Sequence, residues 1–282
     1  LDFQKSLSLR YKTAYESLYE CYLGPDSRKA DVSLLFLNVG NQDRHGNFDE
    51  KNLQSSPQNL ETWQNINTFF ENWQTSSSAL WSHWVNYVWM EYDNDGQDPR
   101  YMLPNIFINT VGGEVETIQQ IPKERRLEHS LQVMKETLQY LIPGSLPHKI
   151  NQKLLQISSL LPEGAFIGDF GIMFQRSPFQ IKLIMRDIPF EDLCNYLSEI
   201  GWKGNTEHIN TFFSLALKHI NAFRLSIDIG IESLSPKIGI ECFVEEVEDF
   251  LKKWNAFFAQ LVDSRLCTKQ KKDALFEFIQ RN

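Results

Sequence analysis

Seven charged side chains fall on one side of four segments that read as β-strands. Side chains alternate across a strand. Segment 165–175 therefore splits into Phe166, Gly168, Phe170, Ile172 and Phe174 on one face and Ile167, Asp169, Gly171, Met173 and Gln175 on the other. Segment 179–186 sets Phe179, Ile181, Leu183 and Met185 against Gln180, Lys182, Ile184 and Arg186. Segment 222–230 sets Phe223, Leu225, Ile227 and Ile229 against Arg224, Ser226, Asp228 and Gly230. Segment 237–243 sets Ile238, Ile240 and Cys242 against Lys237, Gly239, Glu241 and Phe243. An earlier strand, 85–93, groups Tyr87, Trp89, Glu91 and Asp93. Carboxylates, cations, aromatics and glycines thus share a face. If this face binds an anionic ligand, Arg224 and Lys182 should matter most, because both project from the central parts of their strands, with Asp169 and Asp228 on the same face.

Two readings of this face stand side by side. A charged face is what an antiparallel sheet turns to solvent. Gly171, Gly230 and Gly239 argue for the other reading, a curved sheet lining a polar cavity, because glycine weakens a strand interior and marks close approach of another group.

The elements that would position these residues repeat. Asp169-Phe170-Gly171 is followed by Ser177-Pro178, and Asp228-Ile229-Gly230 by Ser235-Pro236, each after an Ala-Phe pair. The copies lie roughly 58 residues apart, a spacing at which internal repeats define architecture. The clearest units are 165–220 and 222–282, and a diverged copy of the same pattern occupies 85–110. Helices are expected at 7–22, where Leu7, Tyr11, Tyr15, Leu18 and Tyr22 hold helical spacing, and at 60–73, 78–84, 122–141 and 148–161. Further helices are expected at 189–200, ended by Gly201, at 207–220, capped by Thr206, at 247–262, and at 269–279, capped by Thr268. A first strand covers 32–39. Pro104, Pro178 and Pro236 are each expected to precede a second strand, where a missing N–H costs little. Residues 40–59 read as a mobile surface loop. The fold class is α+β: one domain over 1–282, an antiparallel sheet with helices on its outer face, able to curl towards a barrel.

Composition narrows the function. A formal charge of −8 and a pI near 5.3 argue against a nucleic-acid binder and against adsorption to anionic membranes. Four cysteines without a CxxC pair form neither a disulfide framework nor a zinc site, and point to a reducing cytoplasm. No apolar run reaches the length of a membrane span. Asp93-Asn94-Asp95-Gly96 reads as a turn rather than a calcium loop, because its glycine comes too early. There is no phosphate-cradling glycine loop and no GxSxG, and the six histidines lack metal-ligand spacing. No resident metal is expected.

In its order of elements over 84–279 the chain resembles the aromatic prenyltransferases of the ABBA, or PT-barrel, type. The resemblance lies in the recurrence of αββα units and in no residue motif, and three clear hairpins plus a lone early strand fall short of the five units of that family. It implies a prenyl diphosphate donor, with or without Mg2+, and an aromatic or peptide acceptor inside a polar barrel. It would make Lys182, Arg186, Arg224 and Lys237 the diphosphate ligands and Glu91 or Glu241 the acid/base. Trp89 and Phe243 would flank the allyl group. The alternative from a different class is a non-catalytic binding or scaffold protein that recognises a peptide or a biosynthetic partner on the same face or on the 40–59 loop. The oligomeric state is not legible in the sequence.

Overall fold

The computed structural model describes residues 14–21, 30–37, 57–74, 85–93, 102–111, 121–142, 144, 146–176, 180–244 and 249–281. Eight strands form one antiparallel sheet in chain order: β1 Glu16–Cys21, β2 Ala30–Leu37, β3 Tyr87–Tyr92, β4 Asn105–Asn109, β5 Phe166–Ile172, β6 Gln180–Arg186, β7 Ala222–Gly230 and β8 Leu234–Phe243. Helices α1 (Pro57–Gln74), α2 (Lys123–Leu141), α3 (His148–Ser159), α4 (Phe190–Glu199), α5 (Thr206–Ala216), α6 (Phe250–Asp263) and α7 (Lys269–Arg281) fall between or after the hairpins. Among the described residues, each ββ hairpin from β3 onward is followed by two helices. The α+β class and the antiparallel sheet agree with the sequence reading. The barrel does not: among the described residues β1 and β8 remain unpaired edges, so the sheet is open.

One face of the sheet carries the core. Ile106, Ile108, Phe170, Ile172, Ile181, Leu183, Met185, Leu225, Ile227 and Ile229 are fully buried and belong to one cluster that runs on into the helices. The helices cover that face with aromatic side chains. Phe70 of α1 meets Phe36 edge-on, and Phe213 of α5 meets Phe223 at 4.6 Å between ring centroids. Tyr196 of α4 donates its hydroxyl to the Ile157 carbonyl at 3.1 Å and also touches the Met185 sulfur, so its phenol is buried without an unmet donor.

Several local expectations change. Residues 16–21 form β1 rather than part of a helix, and Tyr15 and Leu18, which the helical stripe would have buried, are 67% and 43% exposed. Pairing with the otherwise open edge of β2 outweighs local periodicity here. The cap of α5 is Asn205, whose side chain accepts from the backbone N–H groups of Glu207 and His208, so Thr206 is the first helical residue. Pro189 is the N-cap of α4 rather than a residue of its first turn. Gly201 ends that helix at φ +78°, a conformation glycine adopts without strain, and Thr268 caps α7 through Lys271 N–H. Pro236 lies inside β8 at the outer edge, where an irregular stretch separates the Ile227–Ile238 pair from the Ile229–Leu234 pair. Residues 7–13 and 22 of the helix expected over 7–22, the helix expected at 78–84, most of the 40–59 loop, and Ser177-Pro178 lie outside the described residues.

Candidate functional site

Three rows of cross-strand neighbours build the face opposite the helices. Asn109, Asp169, Ile184, Ser226 and Gly239 form one row from β4 to β8. Leu35, Trp89, Phe107, Gly171, Lys182 and Asp228 form a second from β2 to β7. Phe166, Arg186, Arg224 and Glu241 form a third from β5 to β8. Asp169 and Asp228 therefore share a face. Their surroundings differ: Asp169 stands opposite Ile184, whereas Asp228 sits in the irregular part of the β7–β8 ladder.

The third row corrects the face assignment of β5. Ile167 pairs with Met185 and Asp169 with Ile184, so Gly168 is a bulge. The extra residue reverses the alternation before it. Phe166 joins Asp169 on the polar face, and Ile167 joins the core. A Cβ at Gly168 would overlap the Arg186 side chain at Nε, so only glycine lets Arg186 lie across the bulge.

Arg186 crosses this face to a network the sequence reading placed only in part. Its Nη2 donates to Asp169 Oδ2 at 2.8 Å and to Tyr87 Oη at 3.0 Å. Tyr87 Oη donates to Asp169 Oδ1 at 3.0 Å and accepts from Asn109 Nδ2 at 3.2 Å. Asn109 also donates to the Gly168 carbonyl at 3.1 Å, which ties the bulge into the network. Burial, then the Asp169 charge, raise the Tyr87 phenol to about 12, with Arg186 opposing. Burial works against the Arg186 charge, but Asp169 and Tyr87 outweigh it and leave its pKa above the ordinary value.

Tyr87 on β3 and Arg186 on β6 stand three strand spacings apart, about 14 Å. Two long side chains span that distance, Arg186 lying across the Gly168 bulge to reach the phenol. Burial raises the Glu241 carboxyl on β8, and the Asp169 carboxylate, three strands away, adds to the rise against the cations around it.

The other expected residues pair up locally. Arg224 reaches Glu241 Oε2 at 3.4 Å and lies over the Phe243 ring at 4.5 Å. Asp228 accepts from Arg176 at 2.5 Å, a partner the sequence reading missed because it lies in the turn after β5 rather than on a strand. Lys182 leans away from its register neighbour Asp228 and over the Phe107 ring at 5.6 Å. Among the described residues no carboxylate pairs with Lys182. Trp89 is half-buried beside Phe107. Glu91 lies at the other end of β3, where Asn105 Nδ2 donates to it at 3.2 Å and to Asp93 at 3.3 Å, so it is not part of the arginine network. Lys237 is exposed on the outer strand.

The glycines do not open the space expected beside the aspartates. A Cβ at Gly171 would meet the Phe107 ring at 2.6 Å, and one at Gly239 would overlap Ser226 Oγ. Their gaps are filled by neighbouring side chains. A water-sized pocket formed by described residues lies elsewhere, between α2, α3 and the start of β5, beside Arg126, Ser130 and Phe166. Among the described residues no three His, Cys, Asp or Glu side chains are grouped to hold a metal ion, and no helix is long and apolar enough to cross a membrane.

What these elements define is an antiparallel meander with helices on one face and paired charges and rings on the other. No family model matches the sequence, and no curated protein matches it.

Proposed function

We propose that the polar face binds a small amphiphilic anion, and that the chain is a transferase moving a prenyl group from a prenyl diphosphate to an aromatic or peptide acceptor. The observation that carries this reading is the placing of cations on rings along one face: Lys182 over Phe107 and Arg224 over Phe243. Such pairs suit a ligand with an anionic end and an apolar end, since the cation meets the charge while the ring meets the hydrocarbon. In the transfer, the allylic C–O bond breaks and diphosphate leaves towards Lys182, with Arg186, Arg224 and Lys237 as the further expected ligands. The acceptor bonds to the allylic carbon, and its displaced proton goes to a carboxylate. Glu241, its pKa raised and its charge steadied by Arg224, suits that role better than Asp169, which is already committed to Arg186 and Tyr87. Asp169, Asp228 and Glu241 each face a guanidinium, so they do not fit a resident metal ion. Any Mg2+ is read as arriving with the diphosphate.

One observation favours a non-catalytic binding protein. Arg186 and Arg224, two of the four expected diphosphate ligands, already hold carboxylates, which leaves little uncompensated positive charge on the face. Calorimetry with dimethylallyl and geranyl diphosphate, with and without Mg2+, separates the readings. Saturable heat in the wild type that falls roughly ten- to a hundred-fold in affinity in Lys182→Met supports the donor site. No heat with either compound removes the transferase and leaves the binding protein.

A further inference from the structure

The outer edge of β8 has no strand against it among the described residues. Its first half is blunted as edges often are, by Pro236 and the irregular register opposite Asp228. Beyond that lies the run Lys237-Ile238-Gly239-Ile240-Glu241, which has a property of its own: its charges and its apolar residues are arranged symmetrically, and opposite in sign, about Gly239. Lys237, Gly239 and Glu241 are exposed on the polar face, and Ile238 and Ile240 are half-buried on the helix face. Only one oxygen of Glu241 is engaged by Arg224, at 3.4 Å, and the glutamate is 44% open to water.

We propose that this edge pairs with the same edge of a second copy of the chain, antiparallel, about a two-fold axis passing between the two Gly239 residues. In that register Lys237 of each copy stands opposite Glu241 of the other, on the same face, and Ile238 stands opposite Ile240. A two-fold interface must present one patch that complements itself, and this segment does so in charge, in apolar character and in strand direction. Two ion pairs form across the seam, and the half-buried isoleucines of both copies are covered. The result is a sheet continuous through both copies, with the two polar faces on the same side. Glycine at the axis lets the backbones approach where two identical side chains would otherwise collide. A strand of this length makes a small interface, so the dimer is weak and depends on protein concentration.

Charge reversal tests the register. Sedimentation equilibrium of the wild-type chain across a wide concentration range is expected to show a monomer–dimer equilibrium. Lys237→Glu opposes glutamates across both symmetric contacts and should weaken association roughly ten-fold or more. Glu241→Lys should weaken it similarly, and the double exchange Lys237→Glu with Glu241→Lys should restore it. Circular dichroism on each variant checks that the fold is intact. A wild type that stays monomeric at every concentration overturns the proposal. A dimer whose strength ignores Lys237→Glu, or that the double exchange fails to restore, overturns it as well, because association then uses another surface.

Discussion

Arg186 spends its charge inside the protein, and that decides what its neighbours can do. Its side chain is 13% exposed and that of Asp169 7%, so the pair is desolvated and each member depends on the other. Asp169→Ala would strand a buried guanidinium and should destabilise the fold by about 3–5 kcal/mol. Adding Arg186→Met should recover part of that loss, since the stranded charge goes with it. Urea denaturation of the two single variants and the double variant measures the coupling, and additive losses would show that the pair is not interdependent. Tyr87 offers a second, independent readout. The folded phenol keeps its proton to about 12, against 10.0 when unperturbed. Between those pH values the folded state binds more protons than the unfolded one, so this share of stability is intact below pH 10 and is lost as pH rises towards 12. Tyr87→Phe should flatten that decline relative to wild type in denaturation midpoints taken across the interval. An unchanged pH slope would mean that the hydroxyl is not held as described.

At the scale of elements, alternation read the strands well wherever the ladder is regular. Lys182, Arg186, Arg224, Asp228 and Glu241 all fall on the face assigned to them, because β6, β7 and the second half of β8 keep a period of two. It failed at Gly168, since a one-residue bulge leaves no trace in one strand and becomes visible only in the partner's register. It failed at β1 because the side-chain spacing of a short segment suits helix and strand alike until a neighbouring edge is available. Tyr87 was placed on the correct face, but its link to Arg186 crosses two intervening strands and the Gly168 bulge, which no local pattern encodes. The same distinction between central and edge positions grades two core substitutions. Ile227 is fully buried between β6 and the helices, whereas Ile240 is half-buried on the outermost strand. Ile227→Ala should cost about 2–5 kcal/mol, and Ile240→Ala roughly half as much, in proportion to the apolar area it keeps from water. Equal losses in urea melts would mean that the outer strand is covered in solution, as the dimer requires at high protein concentration. Running both melts dilute and concentrated separates the two causes.

For the whole molecule, a single hydrophobic cluster from Val32 to Cys267 and an unbroken ladder from β1 to β8 couple most elements to one another. The end of the chain is the exception. The main packing partner of α7 is α6, with Phe276 edge-on to Phe258 at 6.1 Å, and Leu275 and Phe276 stay half-buried. Leu266 in the turn before it is 49% exposed. Among its described side chains α7 makes few buried apolar contacts, and an element of that kind opens at a fraction of the global unfolding free energy. By contrast Ile181, Leu183 and Met185 of β6 are fully buried between paired neighbours and open only with the whole sheet. Hydrogen exchange should therefore show the amides of α7 exchanging first and those of β6 and β7 last, with little between them along the central strands. Removing residues 269–282 should leave the urea midpoint nearly unchanged, since the helix lost is one that is already open before the cooperative transition. Protection of α7 equal to that of β6, or a large drop in midpoint on truncation, would show that the last helix is part of the cooperative unit and that the core extends beyond the α6 contact.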